Sequence, residues 1–77
     1  MLVEGESIFI KALGQRIAFY REKKGFSLID FSANARIEVE KIVAYENGRR
    51  SIQIEDFLKI ANALDIDASQ LIDGIVL

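Results

Sequence analysis

Residues 27–50 read SLIDFSANARIEVEKIVAYENGRR, and the fold is decided in this stretch. Ser27 offers an oxygen that can cap a helix, and Asp30 at the third helical position can reach back to the cap amide, a capping box. The helix it opens, over residues 28–34, ends within about two turns at Ala33, Asn34, Ala35 and Arg36. Ile37, Ile42 and Tyr45 suit the buried side of a second short helix over residues 39–46. That helix closes at Asn47-Gly48, where glycine can take the left-handed conformation.

The same signals extend outward on both sides. Ile10, Leu13, Ile17 and Tyr20 recur at helical spacing and predict a helix over about residues 8–24, stopped by Gly25. Ile54, Phe57, Leu58, Ala61 and Leu64 repeat the pattern after the central pair, with Glu55 and Asp56 near the positive end of that helix. Asp67-Ala68-Ser69-Gln70 is a further capping box and opens a short last helix through Leu71 and Ile72. No strand-period segment longer than a few residues competes. The expected fold is all-α: one five-helix domain over residues 1–77, with its core at about 10–73 and a short apolar tail at 74–77.

Composition narrows the chemistry. The 77 residues include no Cys, His, Trp or Pro, which removes disulfides, thiolate or imidazole metal sites and every His-based acid/base pair. Asp65 and Asp67 fall in a turn and at a cap rather than in a catalytic pair. No enzyme activity, metal or cofactor is expected. Glu4 and Glu6 stand where an export signal would be basic, so a cytoplasmic protein is expected. The net charge of −2 is unevenly spread. Residues 11–24 carry Lys11, Arg16, Arg21, Lys23 and Lys24 against Glu22, whereas 51–77 carry Glu55, Asp56, Asp65, Asp67 and Asp73 against Lys59. A polyanion would have to approach the first two thirds of the chain.

A short helix, a tight turn and a second short helix form the spacing of a helix-turn-helix unit, which also arises as a plain corner between helices. Its use in recognition is to lay one helix across a phosphate backbone and aim the next into the major groove. The residues resemble the Cro and lambda-repressor family of helix-turn-helix domains, the XRE type. The matching pieces are LGQRIAFYREKKGFS at 13–27, YENGRR at 45–50 and IEDFLKIANALDID at 54–67, and the likeness covers residues 13 to about 72. It implies a five-helix, duplex-DNA-binding transcriptional repressor or activator, usually a dimer, that works by occupying an operator or promoter.

Carried over by position, the resemblance places Ser27 and Leu28 beside phosphate and the groove edge. It turns Val39, Glu40, Val43 and Ala44 toward bases, includes Lys41 among the DNA-binding residues, and sets Asn47, Arg49 and Arg50 beside backbone phosphates. It also implies an ion pair between Arg21 and Glu46. The chain departs from the family pattern at Leu28, Val39, Glu40 and Val43, where polar or basic groups are usual, and at Arg36, where the turn often has glycine. Glu38 and Glu40 bring negative charge toward a duplex carrying one charge per about 1.7 Å. Val39 and Val43 could instead touch thymine methyl groups and Glu40 a cytosine amino group. The alternative is a protein-interaction module with weak or lost DNA binding, gripping its partner through Phe19, Leu28, Ile29, Val39 and Val43.

The end of the chain points to a homodimer. Gly74 is followed by three large apolar side chains, and each left in water forgoes roughly 1.5–3 kcal/mol of burial. The expected interface is Leu71, Ile75, Val76 and Leu77; the alternative is a tail folded back on its own core, against Leu2, Val3 and Phe9.

Overall fold

In the computed structural model, which describes the backbone of residues 4–75 and the side chains of 7–75, five helices follow one another. They are α1 (Glu4–Lys23), α2 (Leu28–Ala35), α3 (Val39–Glu46), α4 (Ile54–Ala63) and α5 (Ala68–Ile72). There is no strand among the described residues. The all-α class and the helix-turn-helix at its centre are as the sequence predicts. Leu2, Val3, Val76 and Leu77 lie outside the described residues.

The core forms where the apolar faces of all five helices meet. Leu13 and Ile17 of α1, Phe31 and Ala35 of α2, Ile42 and Tyr45 of α3, Ile60 and Ala61 of α4, Leu64 at its end and Leu71 of α5 are buried together. α1 packs on α3 and α5, while α2 packs on α3 and α4. Full burial of each large side chain contributes roughly 1.5–3 kcal/mol.

Four expectations are corrected. α1 begins at Glu4 rather than near residue 8, because the apolar spacing that located it starts at Ile10 and says nothing of the residues ahead. Ile37 is buried but precedes α3, in the turn. Leu71 cannot be part of a dimer interface, since it faces its own core and is 0% exposed. Ile75 is half-buried against that core, so at least the start of the tail folds back.

Two details fix how α3 is presented. Ser27 supplies the cap of α2, its Oγ accepting from the Asp30 amide at 3.0 Å. Ser32 then clamps the turn. Its carbonyl accepts from the Arg36 and Ile37 amides at 2.9 and 3.2 Å, and its hydroxyl donates to the Ile37 carbonyl. Arg36 is thereby held left-handed at φ 59°, a conformation that costs an L-residue roughly 1–2 kcal/mol.

Candidate nucleic-acid interface

On α3, Ile42 and Tyr45 point into the core. At 3.6 residues per turn the opposite side presents Glu40, Val43, Ala44 and Asn47, at spacings i, i+3, i+4 and i+7. Glu40 and Asn47 are exposed, Val43 and Ala44 half-buried, and Val39 flanks the stripe half-buried. Asn47 closes the helix, its Nδ2 donating to the Val43 carbonyl at 2.9 Å. Gly48 follows at φ 66°, and an added Cβ there would lie 2.7 Å from Lys11 Cγ, so glycine is required for both reasons.

Lys41, expected among the DNA-binding residues, is turned toward α4. Its Nζ lies 3.4 Å from Asp56 Oδ2, which ties α3 to α4. Asp56 is buried, and the Tyr45 hydroxyl donates to the same oxygen. Burial pushes the Asp56 carboxyl up, but the Tyr45 hydrogen bond and the Lys41 charge outweigh it and hold the group below its ordinary range. Tyr45 is raised above its usual value, first by burial and then by its bond to Asp56. Sequence reasoning missed this network. The signal was available, since Asp56 stands four residues before Ile60 and so shares its inward side.

The remaining expected contacts surround α3. Ser27 is exposed at the start of α2, with its oxygen engaged in capping, and Leu28 is half-buried against the core. Arg49 and Arg50 are exposed after α3, with the Arg50 guanidinium 5.6 Å from the centre of the Tyr45 ring. Arg36 and Glu38 are exposed in the turn before α3. Mixed charge thus lies near its start and positive charge beyond its end.

Arg21 and Glu46 are paired, with Nε 2.7 Å from Oε2 and Nη2 3.2 Å from Oε1. Arg21 Nη1 also donates to the Phe26 carbonyl at 2.8 Å, so one side chain joins α1, the following turn and the end of α3. The bond from Glu46 raises the Arg21 pKa further above its ordinary value. A second unforeseen contact sets this geometry: a Cβ on Gly14 would sit 2.1 Å from the Tyr45 carbonyl oxygen. Only a bare backbone lets α1 pass the end of α3 so closely.

Two apolar side chains project elsewhere. Ile29 of α2 is 74% exposed and Phe19 of α1 is 56% exposed, the latter edge-on to Tyr20 and beneath Lys23 Nζ. No cluster of three or more potential metal-ligating residues occurs among the described residues. No described helix is long and apolar enough to cross a membrane.

Comparison with known proteins agrees with this architecture. A family model described as a helix-turn-helix domain matches residues 14–76. The solved restriction-modification controller protein C.AhdI from Aeromonas hydrophila is 29% identical, with a TM-score of 0.78 over 80% of this chain and 94% of that one. A chain of the SinR/SinI protein complex is 28% identical, with a TM-score of 0.77 over 80% of this chain and 61% of that one. A hypothetical transcription factor, NHTF, from Neisseria is 26% identical, with a TM-score of 0.78 over 86% of this chain and 76% of that one. No curated protein matches the sequence. With a match over most of its length and a helix-turn-helix clamped by Ser32 at its centre, the chain belongs to the helix-turn-helix domain family, in its XRE-type branch.

Proposed function

We propose that this protein is a transcriptional regulator that binds duplex DNA through α3 and acts by occupying an operator or promoter. The observation that carries the reading is the outward stripe Glu40, Val43, Ala44 and Asn47, which lies on the side of α3 opposite the core and is presented by a clamped turn. Arg36, Arg49 and Arg50 supply exposed cations for phosphate near the two ends of α3. The similarity to C.AhdI, a controller protein, supports the regulatory role.

The regulator acts as a homodimer. Phe9, Leu13, Ile52, Ile54, Phe57 and Ile72 line an apolar groove of about 250 Å³. Ile54 of its lining is 69% exposed, and Leu58, one helical turn along α4, is 54% exposed. A second copy covering this surface would replace the interface expected around Leu71, and two copies of α3 would meet half-sites about one DNA turn apart. Sedimentation equilibrium should show a dimer that dissociates when Ile54 and Leu58 are both changed to Glu; a monomer at tens of micromolar would exclude it.

A duplex shift assay over a salt series tests DNA binding itself. Log affinity should fall with log salt by about 0.9 per phosphate contact, and Arg49→Gln with Arg50→Gln should reduce that slope by roughly two contacts. An absence of duplex binding at low salt would favour the second reading, a protein-binding module. That reading is supported by the exposed Ile29 and Phe19 and by the occurrence of a similar chain in the SinR/SinI complex.

A further inference from the structure

We propose that α3 reads its half-site by accepting and by apolar contact rather than by donating: Glu40 takes the exocyclic amino group of a cytosine, and Val43 packs on the methyl of a thymine in a neighbouring base pair. The inference rests on the reading of α3 as the groove-facing helix, and deepens it to the chemistry of the bases read.

The argument is one of available groups. A carboxylate only accepts hydrogen bonds, and Val43 and Ala44 offer only methyl groups. Asn47, at the far end of the stripe from Glu40, commits one of its two amide N–H groups to the Val43 carbonyl, at 2.9 Å, and carries no charge. Lys41, the one cation of α3, is turned toward α4 and held 3.4 Å from Asp56. Arg49 and Arg50 lie past the turn at Gly48, with Arg50 over the Tyr45 ring. The stripe therefore has no free cation to offer guanine O6 and N7, the pair of acceptors most often read in the major groove.

What that groove offers to Glu40, Val43 and Ala44 is a donor and a methyl. Cytosine presents its N4 amino group. Adenine also presents an amino group, but beside the N7 acceptor, which a carboxylate repels. Thymine supplies the methyl. Glu40 and Val43 are three residues apart, about 4.5 Å along the helix axis, against 3.4 Å between stacked base pairs, so they reach neighbouring steps.

Two further features favour discrimination over general affinity. Val43 is half-buried and β-branched, so its methyls are already positioned and lose little freedom on contact. Glu40 near phosphate is unfavourable unless an amino group meets it, so a wrong base leaves an unpaired carboxylate in the groove. The acidic stripe penalises incorrect sites more than it strengthens the correct one.

The test uses the full chain and a duplex pool with a randomised core, followed by anisotropy titration of the selected site. The enriched half-site should hold a C·G pair next to a T·A pair. Replacing that thymine by deoxyuridine removes one methyl and should weaken binding about fourfold, the value of one buried methyl group. Val43→Ala should abolish this difference. Changing the cytosine should weaken wild-type binding about tenfold, and Glu40→Gln should level the preference. The deoxyuridine comparison alters only the DNA, so it decides the matter even if a variant folds poorly. A selected site indifferent to every thymine methyl, or one that requires guanine in place of cytosine, overturns the inference and leaves DNA binding standing. Recovery of no preferred duplex and no binding to any at low salt overturns both.

Discussion

The guanidinium of Arg21 meets the carboxylate of Glu46 edge to edge, with two N–H groups on two oxygens, in a site where the side chains are only 12% and 9% exposed. Such bidentate pairs are directional as well as charged. Removal of Arg21 alone strands a nearly buried carboxylate. Arg21→Met is expected to destabilise the fold by about 3–5 kcal/mol, while Arg21→Met with Glu46→Leu costs less than the sum of the single changes. A double-mutant cycle in urea measures the difference, and zero coupling would mean the two side chains act independently.

Gly14 carries a second constraint on the same pair of helices. A methyl group at this position meets the Tyr45 and Glu46 carbonyl oxygens at 2.1 and 2.9 Å, and backbone cannot rotate aside as a side chain would. Gly14→Ala should therefore destabilise at or above the roughly 1–3 kcal/mol typical of overpacked cores, despite its higher helix propensity. Thermal unfolding reads this directly. A variant as stable as the parent would show that α1 and α3 can separate without loss.

Tyr45 and Asp56 give a titration signature. With Tyr20→Phe, Tyr45 is the sole tyrosine, and its absorbance change at high pH should occur above the ordinary value of 10.0. Asp56→Asn should move it downward, because one of its causes is the Asp56 anion. An unmoved midpoint would detach Tyr45 from the carboxylate.

Acid stability follows from the same group with a definite sign. Because the folded-state pKa of Asp56 lies below the unfolded value of 3.8, the unfolded chain binds more protons through the intervening window. The contribution of Asp56 is complete above the unfolded value and is lost as pH falls through the folded one. Asp56→Asn should flatten this part of the stability profile in urea titrations at pH 2–5.

Glu38 and Glu40 are exposed at the start of α3, where a phosphate surface would approach. Glu38→Gln with Glu40→Gln should strengthen binding to random duplex roughly two- to tenfold at low salt, with the gain shrinking as salt screens the repulsion. Discrimination between sites should fall at the same time, because the Glu40 acceptor is neutralised. Unaltered low-salt affinity would place these carboxylates away from the DNA.

The helices, their approximate ends and the inward sides of most of them were legible in the sequence by itself. Ser27, Gly48 and the Asp67–Gln70 box act within a few residues of chain, and the spacing of Leu13 and Ile17 or Ile42 and Tyr45 needs only helical geometry to be read. The Arg21–Glu46 pair came from resemblance rather than spacing. Tertiary structure alone decided which surfaces meet. It buried Leu71 in its own core, folded Ile75 against that core, turned Lys41 from the outward surface to Asp56, and pressed Gly14 against Tyr45. Each of these depends on how closely helices distant in sequence approach, a distance set by all the core side chains at once and written in no single segment.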